Sequence, residues 1–329
     1  MSARYDATCI GNAIVDVITK NDEAFITRHG LVKGAMTLID AERAEALYAA
    51  MGPGLEASGG SAGNTAAGLA SLGGKAAFIG KVTGDQLGAV YRHDIRAVGV
   101  DFDSKPLDPA VPGTPPTARS LIIVTPDAQR TMNTYLGACV ELTPDDVDEA
   151  VISGSQVTYL EGYLWDRPTA KEAFIKAARV AHAAGRKVSL TLSDSFCVER
   201  HRDSFLSLIE GHVDVLFANE AEIKALYQVD DFDAAVAAVR GRCEVAAITR
   251  SEKGSVIVTD GGTVVVEAAP LTQLVDTTGA GDLYASGFLY GFTRGLGLAE
   301  SGRIGSIAAA EVISHVGPRP LVPLRSLIG

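Results

Sequence analysis

Cysteine is scarce: Cys9, Cys139, Cys197 and Cys243 are the only four in 329 residues, and no CxxC pair occurs. That scatter excludes a disulfide framework and a cysteine zinc site, and makes a reducing cytoplasm the expected setting. Basic charge is in deficit. With 29 Lys and Arg against 40 Asp and Glu, the formal net charge is -11, which argues against a protein that coats nucleic acid or an anionic membrane. A local positive site for a phosphate remains open. No apolar run approaches the roughly 20 residues of a spanning helix. The start, MSARYDATCIGNAIVDVI, places Asp6 and Asp16 within its apolar stretch and has no basic region ahead of it. It reads as a strand rather than a signal peptide. Long charged blocks, repeats and low-complexity tracts are also missing, so extended disorder is not expected.

Two phosphate-binding fingerprints are absent as well. Gly-Lys occurs at Gly74-Lys75 and Gly80-Lys81, but neither pair has the upstream glycine of a P-loop. No GxGxxG follows the first strand, which weighs against a nicotinamide-dependent dehydrogenase. The six histidines, His29, His93, His182, His201, His212 and His315, are too dispersed to argue for a metal site or a triad, and read as structural.

What is present is a 47% hydrophobic chain, enough for a sizeable core. Short apolar runs (ATCIGNA, AAFIGKV, VTYLEG, KVSLTLS, DVLFAN, VAAITR) alternate with helical patterns such as TAKEAFIKAARVAHAAG. This predicts a mostly parallel sheet covered by helices. GSVIVTDGGTVVVEAA reads as a hairpin turning at Asp260-Gly261-Gly262. Between about Val100 and Gly137 lie six prolines, and ARSLIIVTPDAQRTMNTYLGA looks like two strands. With the strand-like KGAMTLID, these pieces predict a small β subdomain, drawn from segments of about 14–45 and 100–137, within one domain spanning 1–329. Such an insert suits a lid.

Two stretches could carry chemistry. In DTTGAGD, Gly279, Ala280 and Gly281 precede a helical pattern, and a helix N-terminus whose first residues lack bulk can receive an anion. Asp282 is then either a base beside that anion or simply a helix cap. In SGGSAGNTAAGLASLGG, Gly59-Gly60 can take backbone angles closed to other residues, and Asn64 offers both a donor and an acceptor. Each stretch alone is equally consistent with a structural turn.

Together, GGSAGN, the following LGGKAAFIGKVTGDQLG, and DTTGAGD resemble the two signatures of the ribokinase-like (PfkB-type) sugar and nucleoside kinases. GNAIVDVI, the NEAE at Asn219–Glu222 and TRSEKGS at Thr249–Ser255 extend that resemblance over essentially the whole chain. It implies a three-layer αβα fold with a mostly parallel central sheet and a small β-sheet lid. It also implies an ATP- and Mg2+-dependent kinase acting on a primary hydroxyl.

By the resemblance, Asp282 is the catalytic base, and the N–H groups of Gly279, Ala280 and Gly281 form the anion hole. Asp16, Gly60 and Asn64 hold the acceptor's hydroxyls. Asn219 and Glu222 order magnesium and phosphates through water, so no protein group ligates Mg2+ directly. Thr249 and Gly254 contact the nucleotide, although Ser251 stands where many members have glycine. A monovalent cation such as K+ is compatible with Asp276 and Thr278. Arg130, in DAQRTMNTYLGAC, matches a lid arginine that meets phosphate on closure; alone it would read as an exposed hairpin residue. That segment is similar to the adenosine-kinase and related sugar-kinase branch.

Adenosine therefore leads as acceptor, with fructose, ribose or a related sugar as the alternative. A base pocket would draw on Met36, Met132, Tyr135, Tyr163, Trp165 or Phe196, any of which could equally be packing. A catalytically silent nucleoside or sugar sensor is the non-enzyme alternative, and Asp282, Asn219 and Glu222 weigh against it. Small-molecule acceptor and ATP are the expected partners. Exposed lid edges leave monomer and homodimer both open.

Overall fold

The computed structural model describes residues 3–127 and 129–329; Ala128, within the lid segment read above, lies outside them. Two sheets organise the chain. The larger has nine strands in the spatial order Gly262–Val266, Ser255–Thr259, Val245–Thr249, Val215–Asn219, Lys187–Thr191, Ser155–Glu161, Tyr5–Ile10, Ala76–Ile79 and Val100–Asp101. All neighbours from Val245–Thr249 to Val100–Asp101 pair in parallel, and the last two strands close the other edge as an antiparallel hairpin. The parallel strands are apolar because helices cover both faces. One side buries Phe174, Leu190, Phe205 and Ile248, and the other Cys9, Phe78, Phe217 and Phe288.

Because these strands run in one direction, Ile10, Glu161, Thr191, Asn219 and Thr249 all end at the same edge of the sheet. In open α/β sheets that carboxyl edge is where ligands bind. Two helices meet there by their N-termini: Ser61–Ser71, from the GGSAGN stretch, and Ala280–Thr293, from DTTGAGD. Leu72, beyond the first helix, and Leu283, within the second, share a small core with Ile304, Val312 and Leu324.

The smaller sheet has five strands, in the order Met36–Leu38, Arg130–Tyr135, Ala118–Val124, Ile14–Lys20 and Leu55–Ser58. Its make-up differs from the segments read in the sequence. Val100–Asp101 pairs with Ala76–Ala77 in the large sheet, and Leu55–Ser58, outside both segments, supplies an edge strand. That strand is four residues long with only Ser58 buried, so it has no apolar alternation to announce it. Side chains alternate between the faces of this sheet. One face, with Val15, Val17, Leu121 and Ile123, packs on Phe25, Ile26 and Leu47. The opposite face carries Asp16, Ile18, Ser120, Ile122, Met132 and Arg130, in register across the strands.

Candidate active site

Asp282 lies in the first turn of helix Ala280–Thr293, but it does not cap that helix. The capping position is Gly279, in a left-handed conformation with no side-chain cap bond. Ser61 Oγ donates to Asp282 Oδ1 at 2.6 Å, and Asn64 Nδ2 donates to Oδ2 at 2.9 Å. Both donors sit in the first turns of the facing helix. Burial raises the Asp282 pKa, while the bonds from Ser61 and Asn64 and the positive charge of Arg319 oppose that rise. The result is a carboxylate fixed in place by neutral donors, which holds its position without a salt bridge.

The turn before it differs in one respect from expectation. Ala280 N–H turns back on Thr277 O at 3.2 Å, and Leu283 N–H bonds Gly279 O at 2.8 Å. Helix geometry thus leaves Gly281 and Asp282, rather than Ala280, as the first-turn donors for an anion. A Cβ built on Gly281 meets nothing within 4 Å, so the space beside these donors is open.

Asp16 sits mid-strand in Ile14–Lys20 of the smaller sheet. It is 8% exposed, and none of the described residues donates a hydrogen bond to it. Burial pushes its pKa up to about 6, against the pull of Arg130 and Arg319. It lies directly against the GGSAGN turn. A Cβ on Gly59 would stand 2.5 Å from Asp16 Oδ2, and one on Gly60, at φ +81, would strike Asn12 O at 2.1 Å. Asn64 Oδ1 is fully buried without a partner, whereas the unpartnered Asp16 carboxylate keeps some exposure. Buried acceptors without donors are costly, and hydroxyl groups of a bound molecule are what would relieve them.

Asn219 and Glu222 are joined to each other. Asn219 Oδ1 accepts from Glu222 N at 2.9 Å, Glu222 Oε2 accepts from Asn219 N at 2.9 Å, and Asn219 Nδ2 donates to Glu222 Oε1 at 2.5 Å. This is a capping box for helix Glu220–Tyr227. Burial raises the Glu222 pKa to about 7, with repulsion from Asp194 and Asp282 adding to it. Thr249 ends its strand beside this cap, its Oγ1 3.5 Å from Ala218 O. Ser251 has φ +53, the left-handed conformation that favours glycine.

Asp276 and Thr278 are spoken for. Asp276 Oδ1 accepts from Thr278 N at 3.0 Å and Thr278 Oγ1 at 2.8 Å. Its Oδ2 accepts from Gly317 N at 2.9 Å and from Arg130 Nη1. Arg130 also reaches Thr278 Oγ1 at 2.7 Å. An ionised carboxylate offers about four lone-pair sites, and four donors fill them here, one of them a guanidinium. The set does not fit a monovalent cation. The lid arginine is thus stationed over the DTTGAGD loop, with Nε and Nη2 buried and unpartnered.

Sequence reasoning missed four groups here. Glu161 accepts from Asn12 Nδ2 at 2.6 Å, Asn12 N at 3.3 Å and Ala62 N at 2.8 Å, beneath the GGSAGN turn. Burial raises its pKa to about 7 despite those bonds. Ser61 and Arg319 complete the set with Asn12. Their partners lie as far as 261 residues away in the chain, and no local pattern announces such pairs. Of the candidate base-pocket residues, Met36 and Met132 lie on the cleft face of the smaller sheet. Tyr135 pairs with Arg119 on the opposite face, and Trp165 is core, stacked on Phe205 and bonded to Ser204. Phe196 is 71% exposed. Tyr163 OH donates to Ser193 O at 3.3 Å. Among the described residues no His, Cys, Asp and Glu group could hold a metal ion, and no helix is long and apolar enough to cross a membrane.

The chain matches the model of the pfkB family carbohydrate kinases over residues 37–325. Its fold superposes on the crystal structure of adenosine kinase from Sinorhizobium meliloti with TM-score 0.91 and 58% identity, covering 99% of this chain and 98% of that one. The structure of a probable sugar kinase from Rhizobium etli CFN 42 gives TM-score 0.91 and 54% identity over the same shares. Among curated proteins, adenosine kinase of Saccharomyces cerevisiae is 26% identical over 94% of this chain and 95% of that protein. A 5-dehydro-2-deoxygluconokinase of Shouchella clausii is 27% identical over 82% of this chain and 84% of that protein. The chain belongs to the pfkB family of carbohydrate kinases and is an ATP-dependent phosphotransferase acting on a hydroxyl group.

Proposed function

We propose that the acceptor is adenosine, phosphorylated on its primary hydroxyl to AMP, with Asp282 as the base. The observation that carries this reading is the cleft face of the smaller sheet. Ile18, Ile122, Met132 and Met36 form one row across it, next to the row of Asp16, Ser120, Thr134 and Leu38. Met36 is 46% exposed and Leu38 52%, whereas Ile122, on a strand between them and Asp16, is buried. A flat apolar surface beside an unpartnered carboxylate suits a base attached to a ribose, the carboxylate taking the ribose hydroxyls. A simple sugar would leave that apolar row wet. The Sinorhizobium meliloti adenosine kinase, at 58% identity, supports the same acceptor.

In this reading Asp282 accepts the hydroxyl proton as the oxygen attacks. The N–H groups of Gly281 and Asp282 and the guanidinium of Arg130 face the transferred phosphoryl group, where charge stabilisation is the main demand. Asp16 and Asn64 orient the acceptor, and the smaller sheet, as a lid, keeps water from competing for the phosphoryl group. Glu222 and Asp194 fit a hydrated Mg2+ held through water, because their mutual repulsion at this wall is what a divalent cation would relieve. When bound, Mg2+ supplies charge neutralisation of the ATP phosphates.

The test is ADP release with MgATP and a panel of adenosine, other nucleosides, ribose, fructose and 5-dehydro-2-deoxygluconate. Adenosine should give the highest kcat/KM. A clear preference for any sugar would reject the nucleoside assignment and leave the kinase assignment standing.

A further inference from the structure

The segment Gly317-Pro318-Arg319 follows helix Leu298–Val312 and touches both signature loops. Gly317 N donates to Asp276 Oδ2 at 2.9 Å. Pro318 packs on Gly279, where an added Cβ would lie 3.0 Å from its ring. Arg319 reaches the other loop: Nε donates to Ser58 O at 3.1 Å, Nη2 to Ser58 Oγ at 3.1 Å, and Nη1 to Gly63 O at 2.9 Å. Ser58 ends the edge strand of the smaller sheet, and Gly63 lies in the first turn of helix Ser61–Ser71. The guanidinium therefore brackets the Gly59-Gly60 turn from both sides. That turn has no side-chain cap of its own, and its other ties include Gly59 N to Ile14 O at 2.7 Å, Ala62 N to Glu161 Oε2 at 2.8 Å, Ser58 N to Asp94 Oδ2 at 2.7 Å and Tyr91 OH to Gly59 O at 3.4 Å.

We propose that Gly317-Pro318-Arg319 is a clasp that sets the spacing between the DTTGAGD loop and the acceptor-binding turn, with Arg319 as a positioning residue for Asp16 and Asp282. The inference rests on the kinase mechanism described above. Three residues of one segment bind both halves of the site, so displacing Arg319 moves Ser61 and Asn64, the donors to Asp282, together with the glycine turn against which Asp16 lies. A planar fork is needed to span the turn; a single ammonium reaches one side of it. Arg319 also contributes charge. The groups facing it are Tyr91, Asp94, Asp16 and Asp282. Asp16 is faced by Arg130, Arg319 and Asp282. Asp282 is faced by Arg319, by the donors Ser61 and Asn64, by the carboxylates Asp16, Glu161 and Glu222, and by Cys9, Tyr159 and Tyr163. Loss of the guanidinium removes a cation that opposes the rise in pKa of both Asp16 and Asp282.

The test compares wild type, Arg319→Gln and Arg319→Lys by ADP release, using whichever panel acceptor the wild type phosphorylates, with melting curves alongside. In Arg319→Gln, acceptor KM should rise and kcat fall by about tenfold or more, since small misplacements of reacting groups carry penalties of that order. KM for ATP should stay within about twofold, because the nucleotide side keeps its contacts. The acid limb of kcat/KM should move to higher pH. Arg319→Lys should return the acid limb and leave acceptor KM raised. A folded Arg319→Gln with wild-type acceptor KM and acid limb overturns the clasp. If Arg319→Gln does not fold, Arg319→Lys decides: wild-type acceptor KM overturns the clasp and a raised one supports it. A wild type that releases ADP with no acceptor fails the function reading instead. The clasp then stands or falls on amide exchange at residues 58–64, which Arg319→Gln should accelerate.

Discussion

Asp16 and Asp282 solve the same solvation problem in different ways. Asp282 is held by two neutral donors, whereas Asp16 waits for donors that the acceptor brings. Burial lifts the Asp16 carboxyl to about 6, so its ionised, hydroxyl-accepting form is lost as pH falls through that value. The kcat/KM for the acceptor should therefore fall as pH is lowered through about 6, while Asp16→Asn should lose the Asp16 part of that limb, leaving that of Asp282, along with most acceptor affinity. A wild-type profile flat to pH 5 would contradict the role given to Asp16. Asp276 yields a second outcome. With four donors already on its carboxylate, replacing KCl by choline chloride at constant ionic strength should change turnover by less than about twofold. A loss of about tenfold or more would show that a cation displaces one of those donors.

At the scale of elements, the alternation of apolar runs and helical patterns located the large sheet, because parallel strands buried on both faces are short and almost wholly apolar. The antiparallel hairpin at Asp260-Gly261 was legible for a different reason, its β-branched runs flanking a tight glycine turn. Leu55–Ser58 was not: a short edge strand with one buried residue has no period to read. Asn219 and Glu222 carry the local signature of a capping box, and the structure realises it; any role in ordering phosphates is additional to that cap. Ser251 was visible as a departure, and its φ of +53 gives it a physical cost. Ser251→Gly should leave stability unchanged or raise it by about 1 kcal/mol, the relief of a left-handed residue set against glycine's greater unfolded freedom. Gly254, three residues on, is the opposite case. At φ +78 its added Cβ would lie 2.0 Å from Val266 O, so Gly254→Ala should cost about 2 kcal/mol or more. Urea unfolding of both variants tests the pair, and a destabilised Ser251→Gly would contradict the strain argument.

Across the whole molecule, the site is assembled from the carboxyl edge of one sheet, the cleft face of another and a segment close to the end of the chain. The signature loops were readable because each is contiguous. Ser61 with Asp282, Asn12 with Glu161, and Arg319 with Ser58 were not, since each pair is joined only by the fold. Carboxylates dominate the cleft: Asp16, Glu161, Glu222 and Asp282 all have pKa values raised by burial. Arg130 and Arg319 act on Asp16, and Arg319 on Asp282. Such an arrangement favours arrival of a metal-bound nucleotide and disfavours a bare anion. The central claim is that one of these carboxylates, Asp282, takes the acceptor's proton. Its most direct test is steady-state ADP release by Asp282→Asn beside wild type, with ATP affinity measured separately by titration. The account predicts a fall in kcat of about 10²–10⁴-fold with ATP affinity within about threefold of wild type. A folded Asp282→Asn that keeps kcat within about tenfold of wild type would contradict it.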